Sequence, residues 1–345
     1  MLTYIARRLL MLPLVLVGVT LLIFALLQLL SPFSRLAIYI TDPNQLKQGP
    51  EELQEMVEAL GLDDPAYVQY GRWLNGVLHG DLGWSESGRQ PVVNALMAKM
   101  PGTVELALFA AIPVILGGIW LGKLTAVHQD KAIDHVGRVV AIVGWSFPTF
   151  VFGLLALFLF YGVLGWFPPG TLSLAAQRVT SSDAFVNYTG MNTIDALLNG
   201  HWFVLGDALR HLVMPVVTLA YLSWAMIMRV MRSSMLEALR QDYVTTARAK
   251  GLRERVVVDK HAKRNALLPV TTIAGTMFAG LMSGVVITET VFNRPGLGRF
   301  AASAATQLDI PSVLGFALFN GILFVLVNLV VDVLYAYFDP RVRLE

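Results

Sequence analysis

Residues Asp242–Pro269 read DYVTTARAKGLRERVVVDKHAKRNALLP, and the rest of the chain is organised around them. They lie between two apolar segments, Leu212–Met228 and Ala266–Val286. The stretch is too charged to enter lipid and too well patterned to be a loose loop. Asp242 can cap a helix start, and Ala247, Ala249 and Leu252 keep helix propensity high. Gly251 offers a stop, because glycine takes the left-handed C-terminal position cheaply. The expectation is a short helix along a membrane surface, followed by a basic helix that leads back into the bilayer.

Charge fixes which side this stretch occupies. Arg229, Arg232, Arg240, Arg248, Lys250, Arg253, Arg255, Lys260, Lys263 and Arg264 face only Glu237, Asp242, Glu254 and Asp259. That excess places the loop 229–265 on the cytoplasmic side. Composition agrees with a membrane protein. The chain is 55% hydrophobic and 14% charged, with mean hydropathy +0.61, whereas soluble domains carry about 25% charged residues. Net charge is only +2 and the basic clusters flank apolar spans, which argues against nucleic-acid binding. With no cysteine there is neither a disulfide framework nor a thiolate metal site.

Working outward, hydropathy and charge give six spans with both termini inside. The first is Leu9–Leu30, behind Arg7 and Arg8, and it is about long enough to cross. It is too long for the apolar part of a signal peptide, and the Ser31-Pro32-Phe33 that follows is no small-residue cleavage site. Residues 31–102 form an acid-rich extracytoplasmic segment, with short helices expected at Glu51–Leu60 and Tyr67–Leu78. The core, 103–338, holds spans at Thr103–Leu121, Val139–Leu164, Leu212–Met228, Ala266–Val286 and Gly315–Tyr337. A cytoplasmic turn is expected at Lys123–Arg138, outer segments at Gly165–Arg210 and Thr288–Leu314, and a cytoplasmic tail at 339–345.

GGIWLGKL, Gly117–Leu124, nearly matches a phosphate-cradling loop. However, Leu124 stands where the Mg²⁺-binding hydroxyl is needed, and the run closes an apolar helix rather than following a strand. Glycines that let helices approach closely are the better reading. His128 and His135 could share a helix face, but they lack further ligands nearby, so no metal site is expected. In the third span Trp145-Ser146-Phe147-Pro148 breaks the helix. Ser146 and Pro148, with Met277 and Ser283 on the small-residue fifth span, are candidates for a translocation path, and a packing kink and generic helix packing fit them equally. Asn293-Arg294-Pro295-Gly296 reads as a turn, with Pro second and Gly third when counted from Arg294. Asp332, near the inner end of the last span, is expected to reach the interface or to pair with a loop arginine.

The central stretch resembles the "EAA" loop of ABC-importer membrane subunits. Its general pattern is Glu-Ala-Ala, three residues, Gly, then a later Leu-Pro. Thr245-Thr246-Ala247, Arg248-Ala249-Lys250, Gly251 and Leu268-Pro269 occupy those places, so the Glu is missing. The longer string DYVTTARAKGL with HAKRNALLPV is similar to the dipeptide/oligopeptide/nickel importer family. HGDLGWS at His79–Ser85, Leu60-Gly61-Leu62-Asp63, Val68-Gln69-Tyr70, ETVFNRPGLGRF at Glu289–Phe300 and the ending NLVVDVLYAYFDPRVR are similar too, in the family's order. Ser31–Arg35 replaces the Pro-Gly-Asp-Pro run usual after the first span.

The resemblance implies an all-α integral membrane fold of six transmembrane helices in the inner membrane, serving an ATP-driven importer of di- or oligopeptides. Its implied partners are a second permease subunit, two ATPase subunits and an extracytoplasmic solute-binding protein. It implies ATPase coupling through Asp242, Thr246, Ala247, Arg248, Ala249, Lys250 and Gly251. It also implies no catalytic residue, no metal and no bound cofactor in this chain, ATP and Mg²⁺ being used by the partner ATPases. Relatives handling nickel, glutathione or oligosaccharides keep the solute open. An ion-driven secondary transporter would want buried carboxylates in paired halves, and the acids noted are Glu105, Glu289 and Asp332 near span ends. A membrane-bound enzyme would want clustered His and acids, but the six His are dispersed.

Overall fold

The computed structural model describes residues 2–39 and 49–338. The tail 339–345, the family-like ending beyond Phe338 and the side chain of Asp332 lie outside the described residues. The elements in order are α1 Leu2–Gln28, α2 Pro32–Tyr39, α3 Pro50–Ala59, α4 Ala66–Leu78, β1 Trp84–Ser85, β2 Gln90–Pro91, α5 Val92–Val127, α6 Ala132–Ser146 and α7 Thr149–Leu157. After a π-helical turn at Phe158–Val163 come α8 Leu174–Thr180, α9 Asn192–Leu198, α10 Trp202–Leu239, α11 Asp242–Ala249 and α12 Glu254–Val256. A second π-turn, Val257–Ala262, leads into α13 Lys263–Met282, α14 Val286–Val291, α15 Leu297–Thr306 and α16 Ile310–Phe338. The two strands make one short antiparallel hairpin, a feature the sequence reading does not contain.

Four helical stretches among the described residues are long and apolar enough to cross a membrane: Val92–Val127, Trp202–Leu239, Glu254–Met282 and Ile310–Val331. α6 and α7 with its π-turn make a fifth when taken together, bent by 100° at Phe147–Pro148. The protein is therefore an α-helical, multi-pass membrane protein. The helices run well past the expected spans: Thr103–Leu121 lies within α5, and Leu212–Met228 lies within α10. Hydropathy ends where charges begin, but a helix continues wherever its backbone bonds are met internally. The break at Pro148 is far sharper than a kink. Proline cannot donate a backbone bond, and here it stands as the N-cap of α7.

By packing, the described residues divide into two units, those within 2–101 together with 296–329, and those within 102–295 together with 330–338. In the first, Phe24 of α1 meets Tyr70 and Trp73 of α4 with ring centroids 5.3 and 5.9 Å away. α3 and α4 coincide closely with the helices expected there. Arg35, buried on α2, donates to the side-chain oxygens of Gln28 at 2.8 Å and Gln69 at 2.6 Å. Gln69 in turn donates to the carbonyls of Leu62 and Asp64. The family-like fragments around Leu62 and Gln69 are thus two sides of one hydrogen-bonded junction.

In the second unit, α10 packs on α6, α7, α9 and α13. The glycines of Gly117–Leu124 explain how α5 reaches the same helix. A Cβ on Gly117 would come within 2.4 Å of Trp224, one on Gly118 within 2.6 Å of Ile227, and one on Gly122 within 2.6 Å of Met231. Close helix approach, not phosphate binding, is what these residues serve.

Candidate docking helix and buried ion cluster

α11 forms where the sequence places it, with a different cap. Gln241 is the N-cap, in extended backbone and without a side-chain cap bond, so Asp242 is the first helical residue instead. There its carboxylate favours the positive helix end. The C-terminus is a Schellman motif. Gly251 at φ +74° donates its N–H to the Arg248 carbonyl at 2.9 Å, and Leu252 donates to the Ala247 carbonyl at 3.4 Å. Both bonds satisfy carbonyls that the helix end would otherwise orphan.

The helix has two faces. Val244 and Ala247 are buried and pack in one cluster with Met231, Met235, Val257 and Val258. Ala247, expected on the contact surface, is buried, with its side chain turned into the protein's own core. Thr246, Arg248, Ala249, Lys250 and Gly251 are exposed, as is Asp242. Thr246 Oγ1 donates to the Asp242 carbonyl at 2.9 Å. Arg248 donates twice to Glu254, at 3.1 and 2.7 Å, bridging the Gly251 turn. The Glu254 carboxylate holds the Arg248 guanidinium above its ordinary pKa. Both partners are about half exposed, so the pair adds at most about 1 kcal/mol. On the following π-turn Asp259 receives Lys123 Nζ at 3.0 Å. That bond uses the lysine of the near-miss phosphate motif.

The candidate path residues are partly brought together. Trp145, Phe147 and Thr149, around Ser146 and Pro148, line an open cleft of about 400 Å³ with Leu219, Met226 and Met277. Ser146 Oγ donates to the Ile142 carbonyl at 2.9 Å. Ser283 is absent from the cleft lining. It is the C-cap of α13, with Oγ donating to the Ala279 carbonyl at 3.0 Å. The His128 ring contacts the Leu124 carbonyl through Nδ1 at 3.0 Å, and His135 contacts Arg138 through Nδ1 at 2.9 Å.

The fragment ETVFNRPGLGRF holds a polar cluster that the sequence reading treats only as a turn. Glu289 and Arg294 are both buried, as is Glu105 of α5. Arg294 Nη2 donates to Glu105 at 2.7 Å, and Thr193 donates to the same carboxylate through N–H and Oγ1 at 2.8 and 2.9 Å. Thr103 Oγ1 donates to Glu289 at 2.7 Å. Burial pulls Arg294 below the usual arginine range, while the charge and hydrogen bond of Glu105 oppose this. The left-handed residue of the turn is Asn293, φ +52°. Gly296 is extended and is the N-cap of α15, which corrects the expected turn geometry. The available signal was an acid in an apolar run together with an arginine beside proline.

HGDLGWS has a similar explanation. Asp309 accepts from Ser85 Oγ at 2.9 Å, from the Ser87 N–H at 2.9 Å and from Ser87 Oγ at 2.6 Å. It also caps α16 through the Ser312 N–H at 3.2 Å. The hairpin is thereby tied to the start of that helix.

These elements define a helical membrane protein that presents a short surface helix between two apolar helices. Residues 115–344 match the family described as "Binding-protein-dependent transport system inner membrane component", and residues 1–107 match its N-terminal companion domain. The chain belongs to that family. It is 36% identical, over 99% of its length and all of the relative, to the dipeptide transport system permease protein DppB of Alkalihalophilus pseudofirmus. It is 42% identical to the probable D,D-dipeptide transport system permease protein DdpB of Escherichia coli, covering 87% of this chain and 88% of the relative. It is 35% identical, over 99% of this chain and all of the relative, to the oligopeptide transport system permease protein AppB of Bacillus subtilis.

Proposed function

We propose that the chain is a membrane subunit of an ATP-driven importer that takes up di- or oligopeptides delivered by a solute-binding protein. It works beside a second permease subunit and couples to two ATPase subunits. Six spans, formed by α1, α5, the bent α6–α7 pair, α10, Glu254–Met282 and α16, leave both termini in the cytoplasm of a cell bounded by this inner membrane. The basic residues from Arg229 to Arg264 support that orientation. The names of the relatives support peptides as the solute; an oligosaccharide, nickel or glutathione fits the same architecture.

The observation that carries the proposal is the construction of α11. Val244 and Ala247 fix one side to α10 and the π-turn, so a push on Thr246, Arg248, Ala249 or Lys250 is delivered to spans rather than absorbed by a loop. The bend at Pro148 and the adjoining cleft with Met277 are the proposed path elements. The ion-gradient alternative loses support because Glu105 is committed to Arg294 and Glu289 to Thr103.

The absence of cysteine gives a clean test. Thr246→Cys or Lys250→Cys should crosslink to a nucleotide-hydrolysing subunit co-expressed with the permease, and ATP should change the yield. Tyr188→Cys, exposed in the outer segment, should not crosslink. Equal capture at Tyr188, or none at either α11 position, sinks the coupling role.

A further inference from the structure

A cleft of about 810 Å³ opens between α6 and the C-terminal half of α10. Its walls are apolar, with Ala141, Ile142, Met228 and Leu236. Its charged groups are Arg138, Arg229, Arg232, Arg240 and Glu237. Asp134, fully buried behind them, receives Arg232 at two points, 2.8 and 2.6 Å, and Arg138 at 3.3 Å. Those two guanidiniums are thus held in place. The side chains of Arg229 and Arg240 are exposed and make no hydrogen bond or ion pair among the described residues.

The choice of cation is informative. Membrane orientation needs only positive charge, and lysine supplies it equally. The neighbouring inner segments use lysine freely, at positions 123, 131, 250, 260 and 263, yet every cation lining the cleft is arginine. A guanidinium fork matches phosphate oxygens at two points, which an ammonium cannot do. An apolar wall flanked by two exposed guanidiniums, Arg229 within α10 and Arg240 at its C-cap, suits an amphiphile with an anionic phosphate head. Basic pockets between spans are known to hold such heads.

We propose that this cleft is a binding site for an anionic phospholipid, its phosphate held by Arg229 and Arg240 and its acyl chain lying along Ile142 and Met228. The assignment rests on the orientation proposed above only for the leaflet, which would be the cytoplasmic one. It does not depend on α11 meeting an ATPase, so crosslinking at Thr246 can fail while this site stands, and the reverse.

The test uses the intact assembly, purified in a neutral detergent and titrated with mixed micelles of phosphatidylglycerol or phosphatidylcholine, with the thermal midpoint and extracted lipid as readouts. Phosphatidylglycerol should be retained and should raise the midpoint, and phosphatidylcholine should not. Arg229→Gln and Arg240→Gln should each weaken retention about fivefold and leave the phosphatidylcholine midpoint unchanged. The double lysine variant R229K/R240K should recover only part of the binding. Three results would overturn the site: equal retention of both lipids, full binding by the lysine variant, or protection by inorganic phosphate as strong as that by the lipid. Displacement of the lipid by an acidic peptide with tighter binding would do the same, because it would reassign the arginines to a different ligand.

Discussion

Glu105 and Arg294 stand 189 residues apart in the chain and 2.7 Å apart in space, each almost wholly shielded from solvent. A buried pair of this kind adds little net stability, because desolvation offsets attraction. Breaking it on one side only is what is costly. Arg294→Met leaves Glu105 without its counter-charge. It should cost about 3–5 kcal/mol, seen as a large fall in the thermal midpoint in detergent. Adding Glu105→Gln to that variant should restore part of the loss. A double variant less stable than Arg294→Met alone would show that the pair is not the coupled unit.

Asp309 ties part of the acid stability to the junction of the hairpin and α16. Burial disfavours its charge, but hydrogen bonds from Ser87 and Ser312 prevail and hold it below the usual aspartate value. A depressed folded pKa means that its contribution is present above the unfolded value, about 3.9. That contribution is lost as pH falls through the lower folded value. Asp309→Asn should therefore lower stability at neutral pH by about 1–3 kcal/mol and flatten the decline below about pH 4. Parallel acid-unfolding curves for the two proteins would contradict this.

Gly251 is constrained by backbone angle and not by space. A Cβ there meets nothing within 4 Å, but φ is +74°. Gly251→Val should cost about 1–2 kcal/mol locally and reduce uptake with membrane insertion intact. Gly251→Asn, which tolerates the left-handed region, should keep most uptake. If valine and asparagine behave alike in a transport assay, the turn is not what matters at this position.

The opposite constraint applies at Gly122. A Cβ there would stand 2.8 Å from the Met228 carbonyl and 2.6 Å from Met231 Cβ, and backbone cannot yield cheaply. Gly122→Ala should destabilise by about 1–3 kcal/mol. Gly206→Ala, in open space on α10, should be neutral or stabilising by the ordinary helix preference. Equal midpoints for the two alanine variants would remove the close-packing account.

The residues show why some of this was legible in sequence and some was not. Apolar runs and basic flanks reveal spans because lipid acts on each residue separately, so no knowledge of neighbours is needed. Asp242 and Gly251 sit in local patterns, and the short helix between spans follows from them. Ala247 looks like the exposed Ala249 two residues on, and only the distant Met231 and Val257 show that it faces inward. Arg294 reads as a turn residue because its partner, Glu105, comes from another helix. Asp134 sits among the charges of a turn, and its role is visible only once Arg232 of α10 is beside it. Residues whose meaning lies in long-range pairing carry no periodic signal.

The 38 residues of α10 make a rod about 57 Å long at the usual helical rise. With α11 clamped to its inner end through Met231 and Met235, a tilt of about 5° would swing the far tip by about 5 Å, given that helical rise. The rod would act as a crank whose throw is set by its length, and softening its middle with glycine would shorten the stroke while both ends stay correctly folded.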